Sequence, residues 1–140
     1  MKEYLIDTNI FLRFLVRDDE KSAEDCRRFL QLVRLGKIKA FTTTINIIEM
    51  GWTLNSYYKL NKAQVLKALR GVINLRGLEI RDGYDLRSAL SLWEQENIKF
   101  VDAIISSLDG KDAKVVSYDK DFDRTKMQRV EPHDVLSLYS

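Results

Sequence analysis

Three acidic residues of this chain stand alone in apolar surroundings, and they are its clearest candidates for chemistry. Asp7 directly follows three apolar residues, Glu49 is the only charged residue in positions 40–58, and Asp102 is the only one in positions 100–108. In a chain that is 31% charged, acids are normally scattered over solvated surfaces. Because an unpaired ionised carboxylate is costly to bury, the three acids predict a partner cation.

A divalent metal ion is the cation that this pattern favours. No lysine or arginine lies close enough, at helical or strand spacing, to pair locally with the three acids. A metal ion can instead collect acids from distant parts of the chain. The single cysteine, Cys26, and the single histidine, His133, exclude an internal disulfide and argue against zinc sites and a Ser-His-Asp triad. Oxygen ligands are left, and these predict Mg²⁺ or Mn²⁺.

Each acid also has a possible structural role that needs no metal. Glu49 lies in a helical stripe with Ile48 and Trp52, but its carboxylate could reach solvent or a distant arginine. Asp102 could cap the start of a helix, and Asp7 could form an Asx turn. These alternatives explain the acids one at a time, whereas a metal explains them together.

A fourth acid is expected from the polar segment 117–123. Asp119 lies two residues beyond a Val-Val-Ser run and is nearest to the end of a predicted strand. Asp121 is its competitor, and Asp123 is expected on the surface. The sequence leaves the choice between Asp119 and Asp121 open.

Strand and helix patterns alternate along the chain, and this alternation must position the acids. Short apolar runs predict strands at 3–6, 38–42, 78–80, 115–117 and 129–130. Helical spacing predicts helices at 9–16, 21–35, 62–74, 84–96 and 102–109, another beginning after Thr43 or Thr44, and a terminal turn at 133–138. The pattern predicts a single domain, residues 1–140, of the α/β class, with helices on both faces of a parallel sheet.

In such a sheet the ligand crevice lies beyond the carboxyl ends of the strands. Asp7 ends the first predicted strand, and Asp119 closely follows the fourth. Both acids are therefore expected at this edge.

Four blocks of the sequence resemble the PIN domain family, and within it the prokaryotic VapC-type toxins. The blocks occur in the family's order and span nearly the whole chain: residues 7–11, the lone Glu49, residues 100–103 and residues 116–122. The resemblance implies a PIN-like three-layer α/β/α fold whose five-stranded parallel sheet has the order 3-2-1-4-5. It also implies a metal-dependent ribonuclease with an acidic site of Asp7, Glu49, Asp102 and Asp119.

Roles for these residues follow from the chemistry of phosphodiester hydrolysis. We expect Asp7, Asp102 and Asp119 to coordinate Mg²⁺ or Mn²⁺, and Glu49 to bind the metal through water or to act as a base. Three polar neighbours are expected to orient the ligands or to contact the substrate: Thr8, Asn9 and Ser117. Ser117 stands where the family often has threonine, so the hydroxyl is retained.

The partners follow from the same resemblance and from charge. RNA is the expected substrate, and candidate contacts to its backbone are Arg27, Arg28, Arg124 and Lys126, with Arg34, Lys37, Lys39 and Arg129 as further candidates. A VapC-like toxin also implies a homodimer and a small antitoxin that blocks the acidic groove. We expect the two tryptophans in the core or an interface rather than stacked on bases, and interface area on the helix that carries Trp52, Leu54, Tyr57 and Tyr58.

The bulk properties are compatible with this interpretation. A net charge of +2 with several acids gathered at one site leaves a basic remaining surface. No targeting segment or membrane span is visible, so a cytoplasmic protein is expected. Two alternatives remain: a PIN-like protein-binding module without nuclease activity, and a phosphatase of the haloacid dehalogenase type. The phosphatase needs an aspartate at position 9, where this chain has Asn9.

Overall fold

The centre of the computed structural model, which describes residues 2–108 and 112–139, is a sheet of five parallel strands. They are β1 (Glu3–Ile6), β2 (Lys39–Thr42), β3 (Leu78–Ile80), β4 (Lys114–Val116) and β5 (Arg129–Val130). Their order in the sheet is β3-β2-β1-β4-β5, and every neighbouring pair is parallel. The expected fold class, strand direction and strand order are confirmed.

Helices connect the strands, and one more follows β5. They are α1 (Thr8–Leu15), α2 (Glu20–Arg34), α3 (Thr44–Ser56), α4 (Lys62–Ile73), α5 (Leu86–Gln95), α6 (Phe100–Ser106) and α7 (Pro132–Leu136), with a 3₁₀ helix at Lys120–Arg124. Thr43 is the residue that caps α3, because its side chain accepts a hydrogen bond from the backbone N–H of Asn46. Asn61 and Gln64 form a reciprocal capping box at the start of α4.

The helix that carries Asp102 begins earlier than the sequence pattern predicts. The predicted start at residue 102 is wrong, because α6 begins at Phe100 and its N-cap is Lys99. The predicted end is wrong as well, because α6 ends at Ser106 and residues 107–108 are not helical; residue 109 itself lies outside the described residues. Asp102 therefore sits in the first helical turn and is not the capping residue.

The central strand shows why the fold has three layers. Tyr4 and Ile6 of β1 pack into a core beneath α1, α2, α3, α4 and α7, whereas Leu5 points to the opposite face. There it meets Phe41 and Val115 of the neighbouring strands, together with side chains from α6 and the 3₁₀ helix. Because successive strand residues alternate between faces, each face of the sheet needs its own helical cover.

The face of α3 that looks inward differs from the predicted apolar stripe. Met50 and Leu54 are buried, whereas Ile48 and Trp52 are 64% and 68% exposed. The helix is apolar nearly all round, so its sequence does not define one core-facing side. A core position for Trp52 is therefore wrong.

The helices of this fold are all short. Within residues 2–108 and 112–139, no helix has the length and apolarity that a membrane crossing requires.

Candidate metal centre

The carboxyl ends of β1 and β4 meet at the predicted edge of the sheet. Asp7 follows β1 as the N-cap residue of α1, and its backbone N–H donates to the carbonyl of Val116 at 3.1 Å. Ser117 comes next after β4 and is fully buried. Adjacent parallel strands thus deliver an acid and a hydroxyl to one point, although 110 positions separate them.

The Ser117 hydroxyl lies at the centre of the hydrogen-bond network at this edge of the sheet. Its Oγ donates to Oδ2 of Asp7 at 2.6 Å and accepts from Nδ2 of Asn9 at 3.1 Å. It also accepts from the backbone N–H of Asp119 at 2.9 Å. A hydroxyl has one donor and two acceptor positions, so every hydrogen-bonding position of Ser117 is used.

Asn9 holds the same network from the side of α1. Its Nδ2 donates to Oδ2 of Asp7 at 3.1 Å, and its Oδ1 accepts from the backbone N–H of Tyr118 at 3.3 Å. The amide therefore fixes the carboxylate of Asp7 relative to the chain that follows β4. Asp7 makes no side-chain N-cap hydrogen bond within α1, so its carboxylate is directed to this network instead.

Glu49 reaches the site from α3 through Thr8. The Thr8 hydroxyl lies 3.3 Å from Oε1 of Glu49, 3.0 Å from Oδ1 of Asn46 and 3.2 Å from the Asn46 carbonyl oxygen. Asn46 is fully buried, and its Nδ2 donates to the Ile6 carbonyl at 3.4 Å. Asn46 could not be predicted from the sequence, where it only precedes Glu49 by three residues on the same helix.

Asp102 is the acid of the site whose ionised form is least favourable in the absence of a cation. It is only 4% exposed, and its Oδ2 is buried without a hydrogen-bond partner among the described residues. Burial raises the pKa of Asp102 to about 8, and the nearby charges of Asp7 and Asp119 act in the same direction. An oxygen in this position is poorly satisfied by the protein alone.

Asp119 and Asp121 both approach Asp102. One carboxylate oxygen of each of the three residues lies within 4.8 Å of the others. Burial opposes ionisation of Asp119, but the backbone N–H of Asp121 and the charge of Lys99 outweigh it, so the pKa of Asp119 is lowered. The structure therefore brings both candidates for the fourth acid to the site.

The two other acids also experience the crowding of negative charge. Burial raises the pKa of Asp7, and the hydrogen bond from Ser117 opposes this shift. Burial raises the pKa of Glu49 as well, with a further contribution from the charge of Asp7. Their pKa values respond to one another, so the acids share one electrostatic environment.

These residues fit a divalent cation. Several carboxylates converge, and Asp102 presents a buried oxygen that no protein group satisfies in the described part of the chain. An oxygen-rich site without histidine or cysteine suits Mg²⁺ or Mn²⁺. Asp7, Asp102 and Asp119 could hold such an ion, with Glu49 or Asp121 close by.

Lys99 was missed by the sequence reasoning. Its Nζ lies 3.3 Å from Oδ2 of Asp119, and its charge also acts on Asp7, Glu49 and Asp102. As expected, no lysine or arginine forms an ion pair with Asp7, Glu49 or Asp102 among the described residues; Lys99 instead pairs with the fourth acid, Asp119, and acts on Asp102 through its charge from one turn away. A basic residue three positions before the acid was the available signal.

The structure does not bring the predicted RNA-binding residues into contact with the acids. No hydrogen bond or ion pair within residues 2–108 and 112–139 joins the site to Arg27, Arg28, Arg124 or Lys126. Arg27 pairs with Glu24 on α2, and Arg124 donates to the carbonyl of Asn97. Arg129 is held by Asp123 and Glu131.

A large, mostly apolar cavity lies between α1, α2 and α4. It has a volume of about 600 Å³, and Phe11, Leu30 and Val72 are among its lining residues. Three cationic side chains also line it: Arg27, Arg34 and Lys67. This cavity contains none of the acids described above.

Comparisons with known proteins give one family and several similar structures. The model of the PIN domain family matches residues 4–127. A comparison with curated protein sequences gave no significant match.

The similar structures include VapBC2 from Rickettsia felis bound to a DNA fragment from its promoter, with a TM-score of 0.66 and 18% identity over 92% of this chain and 98% of that chain. PAE2754 from Pyrobaculum aerophilum has a TM-score of 0.69 and 14% identity, over 98% of this chain and 94% of that one. VapBC-1 from nontypeable Haemophilus influenzae has a TM-score of 0.64 and 16% identity, over 94% of this chain and 98% of that chain. At these identities the likeness shows a shared fold.

Proposed function

The chain belongs to the PIN domain family, and on that premise we propose that it is a divalent-metal-dependent endoribonuclease. The whole chain, residues 1–140, acts as one nuclease domain that hydrolyses phosphodiester bonds in single-stranded or structured RNA. The proposed biological role is that of the toxin in a type II toxin–antitoxin pair in the cytoplasm.

One observation carries the proposal: the buried Asp102 carboxylate faces other acids and has an oxygen without a partner in the described part of the chain. A protein that used this region only for structure would gain stability by replacing Asp102 with a neutral residue. Retaining the carboxylate makes sense when a cation binds there.

The chain supplies the ligands and their orientation. A bound Mg²⁺ or Mn²⁺ would activate water and stabilise the negative charge that builds on the phosphate. Asp7, Asp102 and Asp119 hold the ion in this proposal. Ser117 and Asn9 keep the Asp7 carboxylate in place through the hydrogen bonds at its Oδ2.

Glu49 is the proposed base. Its Oε1 accepts from the Thr8 hydroxyl, so Oε2 is available to take the proton of an attacking water. The pKa of Glu49 is raised by burial, which makes its carboxylate a better proton acceptor than an exposed glutamate. Coordination of the ion through a water is the alternative role for the same side chain.

We assign RNA binding to basic residues on the surface, which would contact the RNA backbone without reading its sequence. Arg27, Arg28, Arg124 and Lys126 remain the proposed contacts to the RNA backbone, since such contacts need charge but little precise geometry. The site's own excess of negative charge makes cations elsewhere on the surface necessary for binding a polyanion.

A small antitoxin and a second copy of the chain are the proposed protein partners. The sequence resemblance to VapC toxins and the similarity to two VapBC structures support the antitoxin. The apolar cavity between α1, α2 and α4 could take an amphipathic antitoxin segment, whose acidic residues would face Arg27, Arg34 and Lys67.

The test is RNA cleavage with a chelation control. Purified protein should cleave single-stranded RNA with Mn²⁺ or Mg²⁺, and Asp7→Asn or Glu49→Gln should lower the rate at least about 100-fold while the protein stays folded. Cleavage that persists after the divalent ions are chelated would defeat the proposed metal dependence.

A folded protein without cleavage on any RNA would favour the protein-binding module. Release of phosphate from small phosphate esters would favour the phosphatase. That enzyme type needs an aspartate at position 9, where this chain has Asn9.

A further inference from the structure

Lys99 connects three of the acids at the candidate metal centre. Its Nζ lies 3.3 Å from Oδ2 of Asp119, and its backbone N–H donates to Oδ2 of Asp121 at 3.4 Å. Its carbonyl oxygen accepts from the backbone N–H of Asp102 at 3.1 Å. As the N-cap of α6, Lys99 is held in this position by the backbone, while its side chain is 69% exposed and can move.

The ammonium group of Lys99 is the cation in direct contact with the site. Within residues 2–108 and 112–139, no other lysine or arginine forms an ion pair with Asp7, Glu49, Asp102, Asp119 or Asp121. One positive charge therefore faces several carboxylates. An exposed pair of this kind is worth only about 0–1 kcal/mol, so a stronger cation can displace it.

A divalent ion would have to displace the Lys99 ammonium from the Asp119 carboxylate. Oδ1 of Asp119 accepts from the backbone N–H of Asp121 at 3.0 Å, and its Oδ2 faces the ammonium of Lys99. Both carboxylate oxygens are thus engaged. A divalent ion bound by Asp102 and Asp119 together would compete with Lys99 for the same carboxylate.

We propose that Lys99 is an internal counter-cation that competes with the divalent ion for Asp119 and thereby lowers the metal affinity of the site. Lys99 is a positioning residue in this scheme: it keeps Asp119 oriented toward Asp102 until the ion arrives. The inference rests on the metal centre of the proposed function. It goes beyond that function because it assigns a residue that sets the affinity for the ion.

The experiment measures Mn²⁺ binding alone, without RNA, in the full-length protein. Titrations followed by calorimetry, or by the electron paramagnetic resonance signal of free Mn²⁺, give the Kd of the wild type and of three variants. Lys99→Gln removes the ammonium, Lys99→Arg retains a positive charge, and Lys120→Gln is the matched control. Lys120 is exposed and adjacent to Asp119 in sequence, but the structure gives it no ion pair with the acids.

Lys99→Gln should bind Mn²⁺ about three- to tenfold more tightly than the wild type, because the competing cation is gone. Lys99→Arg should stay within about twofold of the wild type, and so should Lys120→Gln, because neither removes the local ion pair. An unchanged or higher Kd in Lys99→Gln would overturn the inference and leave the metal centre intact. Equal tightening in Lys120→Gln would also overturn it, since net charge would then explain the effect. Absence of Mn²⁺ binding in every protein would defeat both the inference and the proposed function.

Discussion

The Ser117 hydroxyl donates to Oδ2 of Asp7 at 2.6 Å, across the ends of two adjacent parallel strands. Through this contact the residue that ends β1 and the residue that follows β4 become one unit. The same hydroxyl accepts from Asn9 and from the backbone of Asp119, so it aligns the two acids on either side of it.

Removing this hydroxyl should damage both stability and catalysis. Ser117→Ala leaves Asp7, Asn9 and the Asp119 N–H without a common partner, and it should cost about 1–3 kcal/mol in the free energy of unfolding. RNA cleavage should fall about 10- to 100-fold, because ligand-orienting residues have effects of this size. Ser117→Thr is the matched control, since it keeps the hydroxyl. Urea unfolding and initial cleavage rates measure the two effects; equal loss in both variants would contradict the role of the hydroxyl.

The pH dependence of stability should report on Asp102. An aspartate in an unfolded chain has a pKa near about 4, whereas burial raises the pKa of folded Asp102 to about 8. Between these values the unfolded chain releases a proton that the folded protein keeps, so the free energy of unfolding should fall as the pH rises from about 4 to 8 and then level off. One such group contributes up to about 1.4 kcal/mol per pH unit.

Asp102→Asn should remove this contribution, so the metal-free variant should be more stable than the wild type near pH 8. Urea unfolding in EDTA between pH 5 and 8.5 measures the difference. A smaller slope should persist in the variant, because the pKa values of Asp7 and Glu49 are also raised. An identical slope in the two proteins would contradict the prediction.

The choice between Asp119 and Asp121 can be decided by metal affinity. Both approach Asp102, but the charge of Asp119 acts on Asp7, Glu49 and Asp102, which places it nearer to the shared environment. Asp119→Asn should therefore weaken Mn²⁺ binding at least about tenfold, and Asp121→Asn should weaken it less. Calorimetry on the two variants compares them directly. A larger loss in Asp121→Asn would reverse the assignment.

Gly77 should be essential for the turn that leads into β3. Its φ is +88°, and an added Cβ would lie 2.5 Å from the carbonyl oxygen of Val33. Gly77→Ala should thus destabilise the protein by about 2 kcal/mol or more, through both strain and collision. Gly71→Ala in α4 meets no atom within 4 Å and should be neutral or stabilising by up to about 1 kcal/mol. Thermal unfolding of both variants tests the pair; a stable Gly77→Ala protein would show that this backbone can rearrange.

The exposed face of α3 should support the proposed homodimer. Ile48 and Trp52 lie one turn apart and are both largely exposed, so they offer an apolar surface with no cover in the described chain. Light scattering at micromolar concentration should show a dimer, and Trp52→Glu should shift it toward the monomer. Gln95→Glu, which adds the same charge on the exposed surface of α5, should leave the dimer unchanged. A monomeric wild type would contradict this prediction.

The isolated acids and the class of fold could both be predicted from the sequence. Asp7, Glu49 and Asp102 stand out because an ionised carboxylate is costly among apolar residues, and this cost depends on neighbours within a few positions. Alternating strand and helix periods are also local, so they predicted the α/β class and most elements. The strand order came from the family resemblance rather than from the periods themselves.

Only the tertiary structure decided how the acids are partnered and which surfaces remain open. The contact between Lys99 and Asp119 depends on where α6 begins, and a lysine N-cap gives no clear start signal. The buried side of α3 could not be predicted, because the helix is apolar nearly all round. In the packed structure Asn46 and Met50 are buried, whereas Trp52 is exposed. These outcomes depend on contacts between residues far apart in the chain, which no local pattern contains.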